Sequence, residues 1–193
     1  MIEVLVTLVI LVIGLLGLIG LQARSQQAEL ESYQRAQALV MLQDIVDRMN
    51  ANRIGSKSGA YVTATAVGGG GALVDCSSLT GPAYDLCDWG NALIGAAEVS
   101  SGNVCTTTSG AGCIGAMVGA RGCVAYDATT ELNDSTGAVI PGTGVQTITV
   151  AWQGLAPTVS PPAAITCGQN AYPAETQRRV VTATMRMGSL TAQ

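Results

Sequence analysis

The sequence has no histidine and no phenylalanine among its 193 residues, and aromatic residues make up only 4% of it. Histidine is the commonest general acid–base group and the commonest metal ligand, so its absence argues against most hydrolases and metal-dependent enzymes. The scarcity of aromatic residues means that any core must consist mainly of Val, Ile, Leu, Ala and Met. We expect no catalytic, metal or cofactor site, and we predict that the protein is not an enzyme.

Charge is also scarce, because charged residues make up 11% of the chain and the formal net charge is −4. From Ile54 onward five basic residues face eight acidic ones, whereas nucleic-acid-binding domains usually carry a basic patch. The one basic cluster is formed by Arg178, Arg179 and Arg186, and we interpret it as a solvated strand edge. Nucleic acid is therefore not an expected partner.

Cysteine is absent from the first 75 residues, and six cysteines follow. None of them forms a C-x-x-C pair, so a zinc or redox site is not indicated. An even number of cysteines in a region rich in Gly, Ser and Thr predicts disulfides, which form in oxidising compartments. The six are Cys76, Cys87, Cys105, Cys113, Cys123 and Cys167.

Proline is absent from residues 1–53, and the only glycines there are Gly14, Gly17 and Gly20. Of the 18 residues in Val4–Leu21, 14 are Leu, Ile or Val, which predicts a helix that can span a membrane. Good helix formers follow to residue 53, with an apolar stripe that ends at Gly55. The stripe consists of Leu39, Leu42, Val46 and Met49, widened by Ala38, Met41 and Ile45.

Such a helix is too long to be covered by the rest of the chain. Its 53 residues would extend about 80 Å at about 1.5 Å per residue. We therefore divide the chain into three parts. Residues 1–21 are buried in lipid or among other copies, residues 22–53 form the amphipathic half of the helix, and residues 54–193 are globular.

Three segments of the globular part alternate between apolar and polar residues as strands do, at 121–127, 145–153 and 177–187. Their long, irregular connections predict an antiparallel sheet with one face on the helix stripe, so the fold class is α+β. The inward faces are predicted to carry Ile148, Val150 and Trp152 on one strand and Val181, Ala183, Met185 and Met187 on the next.

Two further features admit a structural interpretation. Tyr61, Tyr84, Trp89 and Trp152 are interpreted as the aromatic part of the core, with a recognition surface as the alternative. The glycine tract at 68–71 is not followed by G-K-[ST], so it does not match a phosphate-binding loop. We predict a flexible loop there.

Glu3 is the one charged residue among the first 21. The 14 apolar residues contribute roughly −4 to −8 kcal/mol to insertion, and a carboxylate at mid-membrane costs about 3 kcal/mol. The span therefore tolerates Glu3. Its carboxylate lies either at the headgroup level or buried beside a cation. A cleaved secretory signal fits less well, because a basic n-region and a small-residue cleavage site are missing.

The stretch IEVLVTLVILVIGLLGLIGLQ resembles the class III signal and helix of type IV prepilins. Ile2, Glu3, Val4 and Leu5 match the end of that motif. The resemblance implies a short basic leader upstream and an N-methylated mature start close to Met1. It also implies that Glu3 attracts the N-terminal amine of a neighbouring subunit during assembly.

Later segments are similar to the minor-pilin branch PilV, the type IV pilus modification proteins. They are VDRMNANRIGSKSGAY, YDLCDWGNAL, VQTITVAWQG and QRRVVTATMRM. The resemblance implies a type IV pilin fold and a structural subunit that primes or caps pilus assembly with other minor pilins, in some cases below a tip adhesin. It implies an inner-membrane anchor with a periplasmic head, and then an extracellular pilus.

Two other functions remain open at this point. The same fold serves as the major filament-building pilin and as the pseudopilin of type II secretion, and copy number separates these from a minor pilin. The second is a tip-located adhesion module that uses the disulfide-pinned loops for recognition.

The resemblance also bears on the glycines and the cysteines. In pilin filaments a helix stretch near Gly14, Gly17 and Gly20 is often unwound, and close packing through small residues is the equal alternative. We favour the pairs Cys76–Cys87, Cys105–Cys113 and Cys123–Cys167, although the sequence allows many pairings. The last pair fits the bridge that often clamps the C-terminal region of a pilin to its sheet.

Overall fold

One long helix, α1 (Ile2–Ala51), begins the computed structural model, which describes residues 2–69, 72–96, 113 and 115–188. Its 50 residues extend about 75 Å. α1 ends before Asn52, whose side-chain oxygen accepts a hydrogen bond from the Gly55 amide and caps a short second helix, α2 (Arg53–Lys57). Gly55, predicted to end the helix, therefore lies inside α2.

The predicted antiparallel sheet is present. In chain order the described strands are β1 (Val67–Gly68), β2 (Val118–Asp127), β3 (Leu132–Asn133), β4 (Val139–Ile140), β5 (Val145–Gln153) and β6 (Arg178–Arg186). Four of them pair in the order β1-β2-β5-β6, and every pair is antiparallel. The strands β2, β5 and β6 correspond to the three alternating segments of the sequence.

The core lies between α1 and one face of this sheet. Ile148 and Val150 of β5 are fully buried there, and Trp152 is 3% exposed. Val181 and Met187 are buried as predicted, with Ala183 and Met185 partly buried. The buried residues of α1 are Gln34, Ala38, Leu42, Ile45 and Met49.

The predicted stripe on α1 was wrong at one edge. Leu39 is 51% exposed, whereas Ala38 beside it is fully buried. The buried face of α1 therefore includes Ala38 and is rotated away from Leu39. Gln34 extends the same face by another turn.

A third helix, α3 (Pro82–Ile94), was not predicted. Pro82 occupies its first turn, and Gly95 ends it in the left-handed conformation with φ of 97°, which are common signals for the two ends of a helix. Trp89 of α3 is fully buried, and its indole N–H donates to the Met41 carbonyl at 2.8 Å. α3 thereby packs against α1.

Glycine is required where α3 meets β2. A Cβ atom at Gly122 would lie 2.2 Å from the Trp89 ring. Gly68 was predicted to lie in a loop but belongs to β1, where it pairs with Arg121 and has φ of 81°. The rest of that tract includes residues 70–71, which lie outside the described residues.

Three of the four aromatic residues that were assigned to the core are buried. Tyr61 and Trp89 are at most 1% exposed, and Trp152 is 3% exposed, as predicted for core residues. Tyr84 is 42% exposed, so its assignment to the core was wrong. It lies on α3, near the helix N-terminus, on the side away from Trp89.

The long connection between β5 and β6 folds back over the outer face of the sheet. The disulfide Cys123–Cys167 joins this connection to β2. Arg178 is only 1% exposed, since its guanidinium lies 2.6 Å from Glu175 and donates to the carbonyls of Ile165 and Cys167. The interpretation of the basic cluster as solvated was wrong for Arg178, because the connection covers it.

A second disulfide, Cys76–Cys87, ties the segment before α3 to the helix itself. Two of the three predicted pairs therefore occur in the structure. The third predicted pair includes Cys105, which lies outside the described residues; Cys113 is disulfide-bonded.

Candidate assembly helix

The N-terminal part of α1 extends away from the rest of the protein. Residues 2–26, here called the anchor segment, are all exposed, and the described part of the head, which comprises residues 52–188, packs against α1 only beyond them. The most apolar 18-residue window has a mean hydropathy of 3.1 and is 0% buried. Within the described residues this is the one helix long and apolar enough to cross a membrane.

The apolar surface of the anchor segment surrounds the helix on all sides. Ile10, Leu11, Val12 and Ile13 follow one another, so every direction around the axis carries a large apolar side chain, each more than half exposed. A helix that is apolar all round requires burial on all sides. The 18 residues from Val4 to Leu21 extend about 27 Å, close to the ~30 Å hydrocarbon core of a bilayer.

Polar groups are few in this segment. The Thr7 hydroxyl donates to the Val4 carbonyl at 2.9 Å, so the helix itself satisfies it. Glu3 lies in the first turn, where the positive end of the helix dipole favours a carboxylate. Arg24, the nearest basic side chain in the sequence, lies about 31 Å away along the axis. A cation that neutralises Glu3 must therefore belong to something other than residues 2–188.

Gly14, Gly17 and Gly20 lie in uninterrupted helix. A Cβ atom built at any of these positions meets nothing within 4 Å. Nothing in the described part of the chain therefore requires glycine at these three places. Both sequence interpretations, local unwinding and close approach of a neighbouring helix, concern a state in which α1 has partners.

The far end of α1 is fixed to the head by charge. Arg48 contacts Asp88 at 2.7 Å and Asp44 at 3.0 Å, and Asp85 lies 3.7 Å away. Burial lowers the pKa of Arg48, but hydrogen bonds to Asp88 and Asp44 outweigh it and raise the pKa above the ordinary value. The Tyr61 hydroxyl donates to Asp85, and burial together with this bond raises the pKa of Tyr61.

This cluster joins α1, α3 and the turn after α2 into one unit. No local pattern predicts this cluster, because Arg48 and Asp88 are 40 residues apart. Glu31 also joins α1 to the head, near the place where α1 leaves the sheet. Its carboxylate accepts from the Ala156 amide at 3.2 Å and lies 3.3 Å from Arg179.

A scan against protein-family models and searches of the curated proteins and of the solved structures found no match. Function is therefore inferred from α1 and the head that it carries. The structure keeps Glu3 and the three glycines on the exposed anchor segment, far from the disulfides of the head. Sequence reasoning missed Gln34 and Arg35, where α1 leaves the sheet.

Proposed function

We propose that this chain is a structural subunit of a type IV pilus, a minor pilin similar to PilV, which primes or caps pilus assembly together with other minor pilins. The observation that carries the proposal is the anchor segment, an apolar helix that the chain's own head leaves uncovered. Neither catalysis nor a cofactor has a part in this role.

The same apolar surface serves in two environments. Before assembly the anchor segment lies in the inner membrane, where its length suits the bilayer. During assembly it leaves the lipid and packs against the apolar helices of neighbouring subunits. Close helix packing replaces contacts with lipid tails, so the exchange costs little hydrophobic free energy.

Glu3 selects the axial position of one helix relative to the next. Apolar surfaces alone define that position weakly, because neighbouring registers bury similar area. A carboxylate about 4 Å from a neighbour's N-terminal amine gains about 4 kcal/mol at an effective dielectric constant near 20. The helix dipole adds to the preference for a charged Glu3 at this end.

The two described disulfides support a head outside the cytoplasm, since disulfides persist in oxidising compartments. The head is periplasmic while the anchor segment is in the membrane, and extracellular once the subunit joins the pilus. The disulfide-bonded connections then lie on the surface of the head, where a tip adhesin or another minor pilin can contact them.

The substitution Glu3→Ala tests the proposal. We expect the variant to reach the membrane in normal amounts but to be lost from sheared pili, because insertion depends on the apolar residues and assembly on the charge. Membrane and pilus fractions are compared by quantitative immunoblotting.

Glu29→Ala is the matched control, since Glu29 is an exposed carboxylate on the same helix beyond the apolar band. It should enter pili at the wild-type level. Normal incorporation of the Glu3→Ala variant would rule out the pairing role of Glu3.

A further inference from the structure

A cavity of about 340 Å³ opens where α1 leaves the sheet, within the usual range of roughly 300–1,000 Å³ for ligand pockets. α1 contributes one wall, and the ends of β5 and β6 contribute the other. The residues used below are Glu31, Gln34, Arg35, Trp152, Arg179 and Val180.

Gln34 is the unusual residue of this cavity. It begins the buried stripe of α1 and is only 5% exposed, although the other four members of the stripe are apolar. Its side-chain oxygen is buried and has no hydrogen-bond partner among the described residues. A buried polar atom without a partner is destabilising, and leucine would cover Trp152 without that cost.

Gln146 is a second buried glutamine, and its hydrogen bonding differs from that of Gln34. Its side-chain oxygen is also buried without a partner, but its nitrogen donates to the Ser56 carbonyl at 2.7 Å and holds α2 on the sheet. The Gln34 amide makes no such bond within the described chain. Gln34 lines the cavity, where its side-chain nitrogen can donate to a carbonyl group of a peptide.

One of the charged residues that line the cavity, a cation, has no ion-pair partner in the described part of the protein. Glu31 and Arg179 neutralise each other at 3.3 Å, and Arg179 is held further by the Ala156 carbonyl at 2.6 Å. Arg35 is exposed at the rim and has no ion pair or hydrogen bond within residues 2–69, 72–96, 113 and 115–188. The ligand that fits this charge pattern carries a carboxylate.

The strand beside the cavity favours an extended ligand. Arg179 and Val180 belong to β6, the last strand of the sheet, whose outer edge has no partner strand in the described part of the protein. Edge strands bind extended peptides through main-chain hydrogen bonds, and side-chain pockets then give specificity.

We propose that this cavity binds an extended, carboxylate-bearing peptide segment of a neighbouring pilus subunit. The peptide lies along β6, accepts a hydrogen bond from the Gln34 side-chain nitrogen and places an acidic side chain on Arg35. The proposal rests on the assembly function above. It adds a contact made by the head to the contacts made by the anchor segment.

Photo-cross-linking in assembled pili tests the site. The full-length chain carries p-benzoylphenylalanine in place of Ser32, which lies at the rim of the cavity. A second variant carries it in place of Leu30, on the opposite side of α1, since two residues turn a helix by about 200°. After irradiation the linked peptides are identified by mass spectrometry.

We expect position 32 to link to an Asp- or Glu-containing segment of another pilin's head and position 30 to link to neighbouring helices. If position 30 links to other subunits but position 32 links only to its own chain, to lipid, or to a segment without a carboxylate, the peptide site is wrong and the assembly function stands. If the wild-type chain is absent from pili, the assembly function itself fails.

Charge reversal identifies the role of Arg35. Arg35→Glu should lower the cross-link yield at position 32 by about tenfold, the change that corresponds to about 1.4 kcal/mol of binding. Lys57→Glu, in α2 of the head and away from the cavity, should leave that yield unchanged. Equal losses in both variants, or no loss in either, would overturn the assignment of Arg35.

Gln34→Leu separates binding from folding. We expect a head that melts at the same or a higher temperature, because the unpaired oxygen is gone, together with a reduced cross-link yield at position 32. An unchanged yield would show that the Gln34 amide does not contact the peptide.

Discussion

The anchor segment and the packed segment, residues 31–51, have the same helical backbone in opposite surroundings. In the anchor segment large apolar side chains such as Ile10 and Ile13 are each 65% exposed, whereas Ile45 of the packed segment is fully buried. Local sequence suffices to make both segments helical. Of the two, only the packed segment is covered by other described residues of the chain, and the apolar surface of the anchor segment is left exposed.

The two regions also differ in how they are held. The head is stabilised by disulfides, by the Arg48 cluster and by the apolar core. The anchor segment has no tertiary contacts within the described residues. Changes in the head should therefore alter its free energy of unfolding, and changes in the anchor segment should alter assembly alone.

The largest effect on the head is expected from removing a disulfide. Cys123–Cys167 closes a loop with a sequence separation of 44 residues, and the chain-entropy relation gives about 4 kcal/mol for a loop of this length. The double variant Cys123→Ala, Cys167→Ala should lose about that much stability. Denaturant unfolding of the full chain in detergent, followed by tryptophan fluorescence, measures it.

The pair Cys76–Cys87 supplies the control, because its separation is 11 residues and the same relation gives about 3 kcal/mol. Membrane insertion should be unchanged in both double variants. A larger loss for the short loop than for the long one would contradict this account of the head.

The next prediction compares how substitutions of two isoleucines in α1 change the free energy of unfolding of the head. Ile45→Ala removes a fully buried side chain and should destabilise the head by about 3 kcal/mol, within the usual range for this change. Ile13→Ala should leave the unfolding of the head unchanged within about 0.5 kcal/mol. The same denaturant experiment serves both. An equal effect of the two substitutions would show that the anchor segment contacts the head.

A smaller effect is expected at alkaline pH. Burial raises the pKa of Tyr172 from 10.0 to about 12, so the folded head prefers the neutral phenol. Below pH 10 this preference stabilises the folded head by about 1–2 kcal/mol, after allowing for solvent screening. The stabilisation is lost as the pH rises towards 12. Urea midpoints measured between pH 9 and 12 should fall along this range.

Tyr172→Phe is the test of that assignment. It removes the titrating group and its bond to the Gly119 carbonyl, so the head should be weaker at neutral pH but its alkaline slope should be shallower. Helicity of the anchor segment in detergent should not follow the same curve. A slope identical to that of the wild type would exclude Tyr172 as its source.

The smallest effect is expected for Gly17→Ala. Apart from the adjacent backbone of α1 itself, no described atom lies within 4 Å of the added methyl group, so the head should unfold as in the wild type. The helix itself should gain about 0.8–1 kcal/mol of local stability, visible as slower amide hydrogen exchange between residues 14 and 20. Faster exchange would contradict the uninterrupted helix seen here.

Much of this architecture was predictable because it depends on local patterns. The run from Val4 to Leu21 indicated a long apolar helix, and the strand predicted at residues 145–153 has the same bounds as β5. α3 escaped prediction although Pro82 and Gly95 mark its ends. Its glycine and cysteine residues obscured the helical period.

The remaining errors arose from contacts between distant residues. The connection between β5 and β6 covers Arg178 in the folded protein. The alternating pattern of β6 alone therefore did not predict that Arg178 is buried. The exposure of Leu39 depends on which face of α1 packs against the rest of the protein. Gln34 and Arg35 form a site only with Trp152 and Arg179, which sequence order does not bring together.

Quantitative mass spectrometry of sheared, purified pili tests the central claim most directly, by counting this chain against all other pilin-like chains. The account predicts that the chain is present at a ratio far below one and that its deletion removes piliation. A ratio near one would make it the major subunit of the fibre. Absence from the pili, with the chain still in the membrane, would contradict the assembly function.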